Sequence, residues 1–144
     1  MQSNNQNSSR SKKLIGAGWI ISLLPVLLLL FSGSMKLLKP PMVVEGIAHF
    51  GYPESVILIL GIVELSCTAI YVYPATSVLG AILLTGYLGG ATATHVRVGE
   101  PFFAPVLVGV AVWLGLFLRD GRLRALLPFT SPADHGTRSK AAPD

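Results

Sequence analysis

From Ser55 to Thr94 the chain runs through 40 residues in which Glu64 is the only charged side chain. Ordinary soluble domains carry about one charged residue in four, so a run of this length points to a hydrocarbon environment. The whole chain of 144 residues follows suit, at 12% charged and 51% hydrophobic. It reads as one membrane domain, because the apolar segments are too closely spaced to leave room for a separate soluble module.

Tyr73-Pro74 divides the long run. Proline cannot donate a backbone hydrogen bond, disfavours helix at the residue before it and suits the first turn of a new helix, so two spans are expected, at 55–73 and 74–95. Leu14 to Ser34 holds 21 residues without a charge, enough at about 1.5 Å per residue to cross a core roughly 30 Å thick. It exceeds the ~7 to 15 residues of a signal-peptide apolar region and is read as a retained helix. Pro101 to Leu118 gives a fourth span.

The expected fold is therefore all-α: an integral membrane four-helix bundle occupying residues 14–127. In the first outer loop, Pro40-Pro41 precedes "MVVEGIAHF", an apolar stretch too short to span and expected to form a short interfacial helix. Residues 1–13 and 128–144, rich in Ser, Asn, Pro and charge, read as disordered tails. An even number of spans puts both termini on one side, where Arg10, Lys12, Lys13, Arg119, Arg122 and Arg124 lie near the membrane. Lys36, Lys39 and Arg97 lie on the other. The positive-inside rule then places both termini in the cytoplasm, in a bacterial plasma membrane.

Basic residues at segment ends form no stripe on a folded face, which argues against nucleic acid despite a net charge of +4. A single cysteine, Cys67, excludes an intramolecular disulfide and a dithiol couple. With His49 and that lone cysteine as the nearby donors, no metal site is expected. No dinucleotide-binding, phosphate-loop, haem or iron-sulfur motif is present.

Lipid tails are as apolar as leucine, so small and polar stripes mark helix faces that pack together. Gly18, Ser22, Pro25, Ser32, Gly33 and Lys36 form one stripe, and Gly61, Glu64, Cys67, Thr68 and Tyr71 another. Tyr71 and Tyr73 are expected at the interface. The third span carries Thr85, Gly89 and Thr92 along one face and Gly86, Gly90 and Ala93 along another, so Gly61, Gly86, Gly89 and Gly90 are expected helix-packing positions. Lys36, Glu64, Thr92 and His95 are expected to share a polar cavity open to the outside. Arg97 and Glu100 stand at its outer mouth as charges that anchor or pair.

"FSGSMKL", "GIVELSCTAIYVYP" and "GYLGGATATHVRVGEPF" together resemble the DoxX-like family of small membrane proteins, related to the membrane subunit of thiosulfate:quinone oxidoreductase. The resemblance implies the four-helix architecture and directs attention to Lys36, Glu64 and His95. It also implies an accessory role in a redox system, with a quinone-like hydrophobe as ligand and an oxidoreductase as partner. It assigns no catalytic residue, and the chain is not expected to be an enzyme on its own.

Glu64 lies about 14 Å beyond Ser55 by helical rise, near the midplane, where a carboxylate is costly and function is the default reading. A structural hydrogen bond to a neighbouring helix is the alternative. Two further readings stay open: a small proton-coupled transporter or lipid-binding protein, and a structural protein whose glycine-rich helix assembles a homo-oligomer.

Overall fold

The helices stop where the sequence removes a backbone donor or supplies a turn. In the computed structural model, which describes residues 3–126, these stops separate α1 (Ser3–Leu38), α2 (Pro41–His49), α3 (Ser55–Val72), α4 (Ser77–Val98), α5 (Phe103–Arg119) and α6 (Gly121–Leu126). Lys39 ends α1 at a φ of 48°, in the left-handed region, with Pro40 behind it excluding a further helical turn. Pro41 then opens α2 at the position where a missing N–H costs nothing. Gly99, at φ 76°, closes α4, and the Glu100 amide returns to the His95 carbonyl at 2.9 Å.

The all-helical expectation holds, and no strand occurs among the described residues. α1 packs against α5 and α3, α3 against α4, and α4 against α5, which closes the long helices into a ring. Three of them are long and apolar enough to cross a membrane: Lys12–Leu38 within α1, α3 and α4. α5 is apolar and 17 residues long. The short helix of the first loop is α2, and none of its residues is buried.

The boundaries differ from the sequence reading in places. α1 begins at Ser3, so residues 3–13 continue the first helix where a separate tail is expected; extending a formed helix adds one hydrogen bond per residue without a new nucleation cost. Pro74 does not open α4. Residues 74–76 form the turn, held by the Thr76 hydroxyl on the Ile70 carbonyl at 2.8 Å, and α4 starts at Ser77. The expected tail at 128–144 lies outside the described residues.

The stripes on the first two spans are the packed faces: Gly18, Ser22, Pro25 and Gly33 are buried on α1, as are Gly61, Glu64, Cys67, Thr68 and Tyr71 on α3. Tyr71 belongs to the packed face of α3. It is fully buried, donating to the Val112 carbonyl at 2.8 Å with the Ser22 hydroxyl at 3.0 Å. Above it the Arg119 guanidinium stacks 4.5 Å from the Trp19 ring centre and 4.6 Å from that of Tyr71. This ties α1, α3 and α5 together at the end of the ring away from Lys36.

On α4 the packed face is Ser77, Gly80, Ala81, Leu84 and Leu88. Gly86, Gly89 and Gly90 are exposed, and a Cβ on any of them would meet nothing within 4 Å. Their expected packing role is corrected: within this chain α4 approaches α3 closely at Gly80, where a Cβ would collide with the Tyr71 backbone. Small residues permit close approach but do not compel it, and an open space beside a helix uses them equally well.

Candidate functional site

Gly61 is the residue that lets the site form. A Cβ there would lie 2.9 Å from the Lys36 Cβ and 3.1 Å from the Gly33 carbonyl oxygen, so the α1–α3 crossing is close only because both positions lack side chains. Lys36 stands in the last turn of α1, where a cation complements the free carbonyls of the helix end. Its ammonium turns inward, donating to the Ser32 hydroxyl one turn back at 2.6 Å and to Glu64 Oε2 at 2.8 Å.

Glu64 is 2% exposed, and three donors meet on one of its oxygens. Besides Lys36, the Ser32 hydroxyl reaches Oε2 at 3.3 Å and the Tyr87 phenol at 3.1 Å. An unpaired charge at this depth would cost about 2.5–3.5 kcal/mol or more; the paired ammonium and the two hydroxyls offset that cost. Among the described residues, no donor is hydrogen-bonded to Oε1. The Lys36 ammonium has three hydrogens and uses two on protein acceptors. One acceptor and one donor thus remain, side by side.

These groups form part of the wall of a cavity of about 900 Å³, within the usual range for small-molecule sites. The rest of the wall is mostly apolar, from Leu28 and Leu29 on α1 through Val63 and Cys67 on α3 to Val108 on α5. His95 lines it as well. Its Nδ1 is 2.8 Å from the Ala91 carbonyl oxygen, which only accepts, so Nδ1 carries the proton and Nε2 of the neutral ring is the acceptor.

Thr92 does not share this cavity. Its hydroxyl donates to the Leu88 carbonyl at 2.8 Å, and it lines a separate cleft of about 680 Å³ between α4 and α5. There Trp113 Nε1 donates to the Thr85 hydroxyl at 2.8 Å, and the Thr85 hydroxyl to the Ala81 carbonyl at 2.8 Å. That cleft offers no charged group. The expected grouping of Thr92 with Lys36, Glu64 and His95 is corrected by helical phase: Thr92 follows Thr85 and Gly89 along the face of α4 that lines the cleft with α5.

Arg97 and Glu100 do not pair with each other. The Arg97 guanidinium donates to the Phe50 carbonyl and lies 5.5 Å from the centre of the Tyr52 ring. Glu100 Oε1 lies 2.8 Å from His49 Nε2. The Tyr52 and Thr94 hydroxyls are 3.0 Å apart, and the Phe50 and His95 rings are 4.7 Å apart between centres. Together these contacts bind the end of α2 and its following turn to the end of α4. Ile47, Phe50 and Tyr52 line the cavity, so this segment caps the cavity at the end of α4.

The profile of the DoxX-like family matches residues 20–117, a span that takes in most of the α1–α5 ring and every residue of the cavity. The chain belongs to the DoxX-like family. No curated protein and no solved structure matched it. In this DoxX-like chain, Lys36, Glu64 and His95 share one cavity, whereas the resemblance gave no place to Tyr87, Phe50 or Tyr52. Tyr87 had a signal of its own, as the one phenol in a helix otherwise made of small and aliphatic residues around Gly86. Among the described residues, no group of three or more His, Cys, Asp or Glu is placed to hold a metal.

Proposed function

We propose that this DoxX-like membrane protein is an accessory subunit of a redox system and holds a quinone-class amphiphile in the Lys36–Glu64 cavity. The observation that carries the reading is the pair of unused valences beside each other in an apolar chamber, a third ammonium hydrogen on Lys36 and the free Oε1 of Glu64. A quinone carbonyl accepts from the first, and the hydroxyl of its reduced form donates to the second. Family membership supports the membrane setting. The single cysteine leaves the chain no dithiol couple of its own, so electrons pass to or from a partner protein. In this reading α5 completes a fourth crossing, and both termini face the cytoplasm of a bacterial plasma membrane.

Native mass spectrometry of gently extracted protein tests this directly, with Glu64→Gln alongside. The expected result is a quinone-mass adduct on the wild type, at least tenfold weaker in the variant, together with a co-extracted polypeptide. A wild type that carries neither adduct nor partner overturns the reading. The α2 cap favours one alternative, a small proton-coupled transporter or lipid-binding protein with Glu64 as the switching group. That alternative gains if an adduct other than a quinone rides on the wild type and is lost from Glu64→Gln.

A further inference from the structure

We infer that the Lys36–Glu64 cavity opens sideways into the bilayer between α3 and α4, at Gly86 and Gly90, and that its ligand is a single-headed lipid whose hydrocarbon chain lies in this seam. The inference rests on the amphiphile reading of the cavity and adds the route of access and the nature of the tail. Among the apolar residues that line the cavity and are also exposed, Ile59 is 60% exposed, Val63 41%, Ile82 55% and Leu83 39%, as are Leu28, at 48%, and Ala104. A residue that does both stands on the rim of an opening. Ile59 and Val63 lie on α3 and Ile82 and Leu83 on α4, inside helices long and apolar enough to cross a membrane, so the medium outside this part of the rim is lipid; Leu28 lies on α1 and Ala104 on α5.

Gly86 and Gly90 complete the rim. Both line the cavity, and a Cβ on either would meet no neighbouring atom within 4 Å. Each glycine costs a helix about 0.8–1 kcal/mol relative to alanine, and no close helix contact in this chain accounts for that cost here. What the missing side chains leave is a gap one helical turn long, about 6 Å. It lies at the level of the head-group site, because Tyr87, next to Gly86, is the residue that bonds Glu64. At the end of α4 the cavity is meanwhile capped by Ile47, Phe50 and Tyr52. A polar pocket capped toward water and open toward lipid suits a ligand that arrives through the bilayer, head first.

Cys67 makes a test that does not depend on the head group, since it lines the cavity, is 7% exposed and is the only cysteine. Full-length protein in nanodiscs is treated with N-dodecylmaleimide, and modification of Cys67 is followed by mass spectrometry. The expected result is labelling in the wild type and in Gly86→Ala, slowed at least tenfold in Gly86→Leu/Gly90→Leu. Equal rates in wild type and the double leucine variant overturn the seam, as does a wild type that is not labelled. Labelling that slows when two copies share one disc assigns the seam to a second copy of the chain and also overturns the proposal. Decylubiquinone binding, measured in parallel, separates the two readings. Seam-dependent labelling without decylubiquinone binding leaves the lateral opening standing and removes the quinone.

Discussion

Gly61 faces Lys36 across the α1–α3 crossing, with room for no more than a hydrogen: a Cβ there would stand 2.9 Å from the Lys36 Cβ. Three residues further along α3, Glu64 receives the Lys36 ammonium at 2.8 Å. The smallest residue in the crossing and its most strongly interacting pair are thus parts of one arrangement. Gly61→Ala is expected to cost about 1–3 kcal/mol by overpacking and to separate the ion pair. Gly90→Ala, in open space, is expected to stabilise by about 0.4–1 kcal/mol. Thermal unfolding of the two variants in one detergent checks the opposite signs.

The Lys36–Glu64 pair makes a second prediction. Removing one partner of a buried pair costs about 3–5 kcal/mol, because the remaining charge loses its compensation, whereas an apolar replacement of both is often neutral. Lys36→Met and Glu64→Leu are each expected to destabilise strongly, and the double variant to recover most of the loss. A double-mutant cycle by chemical or thermal unfolding measures the coupling. Additive losses would mean that the pair contributes little beyond the packing of its side chains.

Much of this arrangement is legible in the sequence, and the reason it stops being legible is geometric. The stripes on α1 and α3 read correctly because each helix has a single small-and-polar face, so the face and the packing direction coincide. On α4 small residues occupy two faces, and hydropathy cannot tell a contact from a gap; only the position of the neighbours separates Gly80, pressed against Tyr71, from Gly90, beside nothing. The same ambiguity covers Thr92, which lies within one helical turn of His95 in sequence but lines the cleft toward α5. Arg97 and Glu100 are near in sequence, yet each finds its partner on the far side of a loop, at Phe50 and His49, which spacing along one chain segment does not reveal.

Asp120 provides a pH dependence outside the membrane. Its Oδ1 accepts from the Arg122 amide at 2.9 Å, capping α6 at its start. Burial pushes its carboxyl up, but the Arg122 amide and guanidinium and the Leu123 amide outweigh this and hold it below the ordinary carboxylate value. The unfolded chain therefore takes up the proton first, near the unperturbed value of about 3.9. The contribution is full above that value and is lost as pH falls through the folded one. It is expected to be about 1 kcal/mol, the typical worth of such a cap. Amide exchange of residues 122–124, corrected for intrinsic rates, should lose protection in acid in the wild type. In Asp120→Ala protection should be lower at neutral pH and change little on acidification.

The cap at the end of α4 yields the last prediction. α2 has no buried residue, and the turn that follows it is held to α4 by the Arg97 donation to the Phe50 carbonyl, the His49–Glu100 contact at 2.8 Å and the Tyr52–Thr94 contact at 3.0 Å. Exposed pairs of this kind contribute about 0.2–1 kcal/mol each, so the segment is a weakly held local unit that opens without global unfolding. Arg97→Met removes the one donor that reaches across to the backbone, and Glu100→Gln removes the charge facing His49. In the double variant, amide exchange over residues 41–52 is expected to quicken several-fold, while residues 55–72 exchange as before. Faster exchange in both segments would mean that the cap is part of the cooperative core, and unchanged exchange in both would mean that the Phe50–His95 and Tyr52–Thr94 contacts suffice to hold it.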